Sequence, residues 1–138
     1  MVELSLNGDA TTLGFAGDTL NTAIYLRRGL SQQYSVSFVS AVGTDPLSQR
    51  MLRFISAQGV RTDHLAQNPE KLPGLYAINT DEAGERSFLY WRENSAARSA
   101  FDQGFDALSR FDMIYLSAIS LAIVRPAIRD ALLTWLEN

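Results

Sequence analysis

The sequence predicts a layered α/β domain built on a mainly parallel sheet. Three observations carry that expectation. Strand-like and helix-like hydrophobic patterns alternate along the chain. Two runs, residues 36–42 and 113–117, are apolar or small on both faces, as in a strand covered from both sides. Residues 75–79 and 86–92 form an antiparallel hairpin pattern instead, joined by the acidic turn Thr80-Asp81-Glu82-Ala83-Gly84-Glu85.

The elements follow in order. Residues 2–15 read as extended, broken by the turn signal Asn7-Gly8-Asp9. Asp18 or Thr19 is placed to cap a helix that runs to about Arg28. Leu20, Ala23, Ile24 and Arg27 lie along one stripe of it, with Gly29 at the C′ position. Asp45 caps the next helix, and Pro46 occupies its first turn, where no N–H is needed. Leu47, Met51, Phe54 and Ile55 make its buried face, Gly59 ends it, and Val60 begins a short strand. Residues 66–71 are a polar loop, and 96–104 carry a weak helical pattern. Pro126 starts a last helix with Ile128, Leu132, Trp135 and Leu136 facing inward. No internal repeat, linker or low-complexity stretch interrupts this order.

Composition narrows the function. A chain of 138 residues is one domain or part of a larger one, and 46% apolar residues suffice for a core. The 12 basic and 15 acidic residues are unsegregated, which leaves no electrostatic footprint for nucleic acid or an anionic membrane. No apolar run approaches the ~20 residues of a membrane span. Met1-Val2-Glu3-Leu4 lacks the basic and apolar regions of a signal peptide. With no cysteine there is no disulfide, thiolate nucleophile or Cys-based metal site, and a reducing cytoplasm is the expected location.

Two places could carry chemistry. In Phe15-Ala16-Gly17-Asp18-Thr19-Leu20-Asn21, a small-residue turn opens into a helix, bringing backbone N–H groups, a carboxylate and an amide to one helix N-terminus. That set suits a polyhydroxylated ligand; it equally suits a helix that uses Asp18 as its cap. In the hairpin, Arg86, Phe88, Tyr90 and Arg92 share one face, Ser87, Leu89 and Trp91 the other, and Tyr76 alternates likewise. The aromatics either pack across strands or present a platform to the C–H face of a sugar. Arg92 offers a planar fork for a carboxylate, which a sugar acid has and a neutral sugar lacks. His64 reads as a packing or surface residue, Asp81, Glu82 and Glu85 as a solvated turn, and Glu3 with Asp9 has no metal-ligand or acid–base spacing. There is no Gly-x-x-x-x-Gly-Lys-Ser/Thr loop and no Gly-x-Gly-x-x-Gly turn.

These motifs, with Val42-Gly43-Thr44-Asp45-Pro46-Leu47, resemble the N-terminal half of a sugar kinase of the ribokinase family. The stretch from Leu75 to Arg92 is most similar to 2-keto-3-deoxygluconate kinases, sharing Leu-Tyr-x-Ile-x-Thr-Asp-Glu-x-Gly-Glu-Arg and Tyr-x-Arg. The resemblance implies a ribokinase-like three-layer αβα fold, of which residues 1–138 are the substrate-side part, with strands of about 2–15 and 72–92 as a lid. It implies sugar contacts at Gly17, Asp18, Thr19, Leu20, Asn21, Tyr76, Tyr90, Trp91 and Arg92. Ala16 stands where the family usually has Gly. The family moves the γ-phosphoryl of ATP, with Mg²⁺, onto a terminal sugar hydroxyl. Its catalytic Asp and ATP pocket match nothing in this chain, so the chain alone is expected to bind no cofactor and to be inactive. A homo-oligomer through the lid strands or an exposed sheet edge is also expected. The alternatives are another sugar kinase of the family, such as a fructokinase, and a non-catalytic α/β binding domain.

Overall fold

The computed structural model describes residues 1–137. In chain order they form β1 (Val2–Asn7), β2 (Ala10–Phe15), α1 (Asp18–Gly29), β3 (Ser40–Val42), α2 (Pro46–Ala57), β4 (Leu65–Gln67), β5 (Leu75–Thr80), β6 (Arg86–Trp91), α3 (Ala118–Ile123) and α4 (Pro126–Leu136). Short 3₁₀ turns lie at Ala96–Ser99 and Asp106–Arg110.

Each hairpin forms where the turn signals place it. β1 pairs with β2 from Val2↔Phe15 to Asn7↔Ala10, and β5 pairs with β6 from Leu75↔Trp91 to Thr80↔Arg86. In the second turn, Asp81 Oδ1 accepts the N–H groups of Ala83 and Glu85, so this acid organises its own loop. Parallel pairing of β1 with β5 joins the hairpins into one sheet of order β2-β1-β5-β6. The strand patterns at 2–15 and in the aromatic hairpin thus belong to a single four-stranded sheet.

The layered part is mixed α/β, with β3 and β4 parallel. Its core gathers Leu20, Ala23 and Ile24 from α1, Met51 and Ile55 from α2, and Val36, Val42, Val60 and Leu65 from the strands and their flanks. Leu20 and Ile55 are almost wholly buried, each contributing roughly 1.5–3 kcal/mol of apolar transfer. Phe15 at the end of β2 packs on Phe54 of α2, ring centroids 5.5 Å apart, which docks the four-stranded sheet on the core.

Several boundaries differ from the expectation. The cap of α1 is Gly17, with φ +148° and ψ 155°, a conformation that favours glycine; neither Asp18 nor Thr19 caps the helix through its side chain. Ala16 has no positive φ, so alanine fits there. Gly29 lies inside α1 rather than after it. The Arg27 guanidinium donates to the carbonyls of Leu30, Ser31 and Tyr34 and holds the departing chain, so the exit needs no left-handed residue. The strand expected over 36–42 is regular only over Ser40–Val42, with Ser37 bridging Arg61. A turn closed by Leu65 N–H to Thr62 O separates that bridge from β4, which starts at Leu65 and runs into the segment that polarity marks as loop. Val60 is buried but lies outside any strand.

Residues 113–117 form no strand. A groove of about 770 Å³ lies between residues 36–40 and 113–116, so the two segments do not pair. Met113 and Tyr115 stay exposed, at 85% and 56%. The chain then turns into α3, whose start Ser117 caps by accepting Ser120 N–H. In α4 Leu132 is buried and Trp135 packs on Phe105, but Leu136 is exposed.

Candidate functional site

Two aspartates open helices in this chain, and their environments differ. Asp45 is fully engaged. Its Oδ1 accepts Leu47 and Ser48 N–H at 2.9 and 3.1 Å, and its Oδ2 accepts the Ser48 hydroxyl at 2.6 Å. Ser48 Oγ, wholly buried, in turn accepts Gly43 N–H at 2.9 Å. Burial pushes the Asp45 carboxyl up, but hydrogen bonds from the Ser48 hydroxyl and the neighbouring backbone outweigh it and hold the group below its ordinary value. This network is structural.

Asp18 has none of this. Its carboxylate is exposed and makes no hydrogen bond or ion pair among the described residues. It lies at the N-terminus of α1, where the first-turn N–H groups have no intrahelical partner. Gly17, Asp18, Thr19 and Leu20 line a crevice of about 110 Å³ that Pro73, Gly74 and Arg92 also line. Asn21 is exposed one turn along, on the face of α1 that carries Asp18, and outside the crevice lining.

Arg92 links this crevice to the aromatic face. It follows β6, and its guanidinium carbon stands 4.4 Å from the centre of the Tyr90 ring. That stacking orients the fork without using its N–H donors. Tyr90 stacks on Tyr76 across the ladder at 6.0 Å and on Phe88 along β6 at 6.2 Å. Tyr76 is buried and its hydroxyl donates to Glu3 Oε2; burial and that carboxylate push the phenol well above its usual range. Trp91 pairs with Leu75 on the opposite face, is 59% exposed, and joins neither the crevice nor the ring stack. His64 packs edge-on to Phe111, ring centres 5.1 Å apart.

A carboxylate free at a helix N-terminus, open N–H groups and an oriented guanidinium beside stacked phenols form a set with the acceptors and donors that hydroxyls and anions require. Residues 2–138 match the pfkB family of carbohydrate kinases. The chain belongs to that family. Among curated relatives, the 2-dehydro-3-deoxygluconokinase of Dickeya dadantii is 46% identical over 99% of this chain and 46% of its own length. The enzyme of the same name from Escherichia coli K12 is 43% identical over the whole chain and 47% of its own length. This pfkB-family chain therefore spans about half the length of the curated relatives it matches. Among solved structures, an uncharacterised sugar kinase from Pyrococcus horikoshii in complex with ATP shares the fold with a TM-score of 0.71, at 19% identity, over 99% of this chain and 46% of that one.

The residue of the ring stack that sequence reasoning missed in this family member is Glu3. The only signal was an isolated carboxylate between apolar Val2 and Leu4; its partner depends on the β1–β5 register, which no local pattern specifies. No helix among the described residues is long and apolar enough to cross a membrane.

Proposed function

We propose that this chain is the sugar-cradling part of a kinase that phosphorylates 2-dehydro-3-deoxygluconate (2-keto-3-deoxygluconate). The observation that carries the reading is that a free Asp18 and a stacked Arg92 line one crevice. Asp18 accepts sugar hydroxyls, supported by Asn21 and by the N–H groups of Gly17, Thr19 and Leu20. Arg92 takes the substrate carboxylate in its fork, with Tyr90 and Tyr76 beside the sugar. Trp91, on the other face, is left out of the contact set. The relatives of that name support the substrate. The four-stranded sheet serves as the lid over the crevice.

The crevice residues do not fit a nucleoside triphosphate, since they carry a single guanidinium against one carboxylate. No group of three His, Asp or Glu among the described residues could hold a metal. ATP and Mg²⁺ belong, in this reading, to the part of the protein outside this chain, and the chain alone positions substrate without turning it over.

Substitution of Arg92 in the full-length protein tests the assignment. Arg92→Ala should lose roughly 1.5–3 kcal/mol with the acid, about ten- to a hundredfold in kcat/KM. Arg92→Lys keeps the charge, loses the fork and should fall between. The analogue with its carboxylate reduced to an alcohol should be nearly indifferent. Equal losses on both substrates would make Arg92 a support of the sheet and remove the sugar-acid assignment.

A further inference from the structure

Glu3 places a carboxylate at the edge of the aromatic face, where it accepts the Tyr76 hydroxyl. Its position is set by pairing. Parallel register puts Glu3 beside Tyr76, and antiparallel register puts Tyr76 beside Tyr90, so the three side chains form one row across β1, β5 and β6. The Tyr76 hydroxyl donates to Glu3 Oε2. On its other side Glu3 faces Gly14 of β2, where even an added Cβ would stand 3.8 Å from Oε1. No side chain from β2 therefore competes for the carboxylate at that position.

A phenol has one proton to donate and lone pairs to accept with. A free hydroxyl rotor can present either to a ligand. Once its proton is committed, only the acceptor remains. We infer that Glu3 is a positioning residue for the sugar site: by accepting the Tyr76 O–H hydrogen bond it commits that donor and leaves the phenol oxygen as an acceptor for a ligand hydroxyl. The inference rests on the sugar-site reading above, but it depends on neither the substrate carboxylate nor Arg92. The ligand it selects at this point is a polyol hydroxyl, a donor; an ether or deoxy position would lose the contact.

The test is a double-mutant cycle in the full-length kinase, with KM measured for 2-keto-3-deoxygluconate and for ATP. Glu3→Ala and Tyr76→Phe should each raise the sugar KM about three- to tenfold, the size of one hydrogen bond. The ATP KM should not move. The double variant should be no worse than Tyr76→Phe alone, because Glu3 acts through that hydroxyl. Glu3→Gln, whose carbonyl oxygen still accepts, should restore most of the sugar affinity. Additive losses, equal losses in both KM values, or a wild-type sugar KM in Tyr76→Phe would each overturn the inference. Should Glu3→Ala fail to fold, Glu3→Met removes the acceptor at similar volume and carries the same cycle. The Arg92 experiment fails independently: a neutral site with intact Glu3–Tyr76 coupling would sink the sugar-acid reading and leave this one standing.

Discussion

Replacing Gly43 by alanine should create the tightest contacts of any glycine-to-alanine change in this fold. A Cβ there would stand 2.3 Å from the Lys71 carbonyl oxygen, 2.5 Å from Asp45 Oδ2 and 3.1 Å from Ser48 Oγ. The first two must retreat beyond 3.0 Å. One is backbone, and the other is a carboxylate already held by three hydrogen bonds, so neither yields like the tip of a flexible side chain. Overpacking of this kind costs about 1–3 kcal/mol. The displacement also breaks the buried Gly43 N–H to Ser48 Oγ bond, and an orphaned buried donor costs about 1–3 kcal/mol more. A total of about 2–6 kcal/mol is a large share of the roughly 5–15 kcal/mol that holds an ordinary domain. Gly29→Ala is the matched control. It lies at the end of α1 with nothing within 4 Å and no positive φ, so it should be stabilising, by about 0.4–1 kcal/mol. Urea unfolding followed by far-UV circular dichroism compares the two. A wild-type midpoint for Gly43→Ala, or shifts of the same sign in both variants, would refute the reasoning.

Two further outcomes follow from the same structure. The native Asp45 carboxyl lies below its unfolded value of 3.8, so its contribution is complete above that pH and fades as pH falls through the lower native value. Asp45→Asn should therefore be less stable than wild type by a constant margin near neutral pH, and the margin should close below pH 3.8; a margin that persists at acid pH counts against the cap as its source. The isolated chain should self-associate at micromolar concentration, because edge strand β6 exposes Leu89 and Trp91 and the groove exposes Met113. Light scattering should show a mass above the monomer that falls in Leu89→Lys; a monomer at every concentration would contradict it.

Much of this arrangement was legible because it is local. Asp45-Pro46 announces its helix through a cap and a missing N–H, and the structure returns both. Period-two alternation in 86–92 placed Tyr90 and Arg92 on one face and Trp91 on the other. What failed depended on neighbours. Residues 113–117 carry a strand's composition, but composition supplies no partner strand, and here none pairs with them among the described residues. The cap of α1 was misread because Asp18 and Asp45 are the same residue at the same kind of position. Only the conformation of Gly17 and the seat of Ser48 distinguish the free carboxylate from the occupied one. Glu3 was out of reach for a similar reason, its partner being 73 residues away.

That separation has a consequence for how the ring-bearing face assembles. Each hairpin closes over a few residues, and hairpins of that kind form in microseconds. The seam between β1 and β5 must wait for the intervening chain, α1 and α2 included, to be synthesised and folded back. The row Glu3–Tyr76–Tyr90 straddles that seam, so it exists only after the slowest contact of the sheet is made. Amides along the β1–β5 ladder should accordingly report, by their exchange with solvent, on whether the tyrosine platform is intact, whereas those inside either hairpin report only on the ribbons themselves.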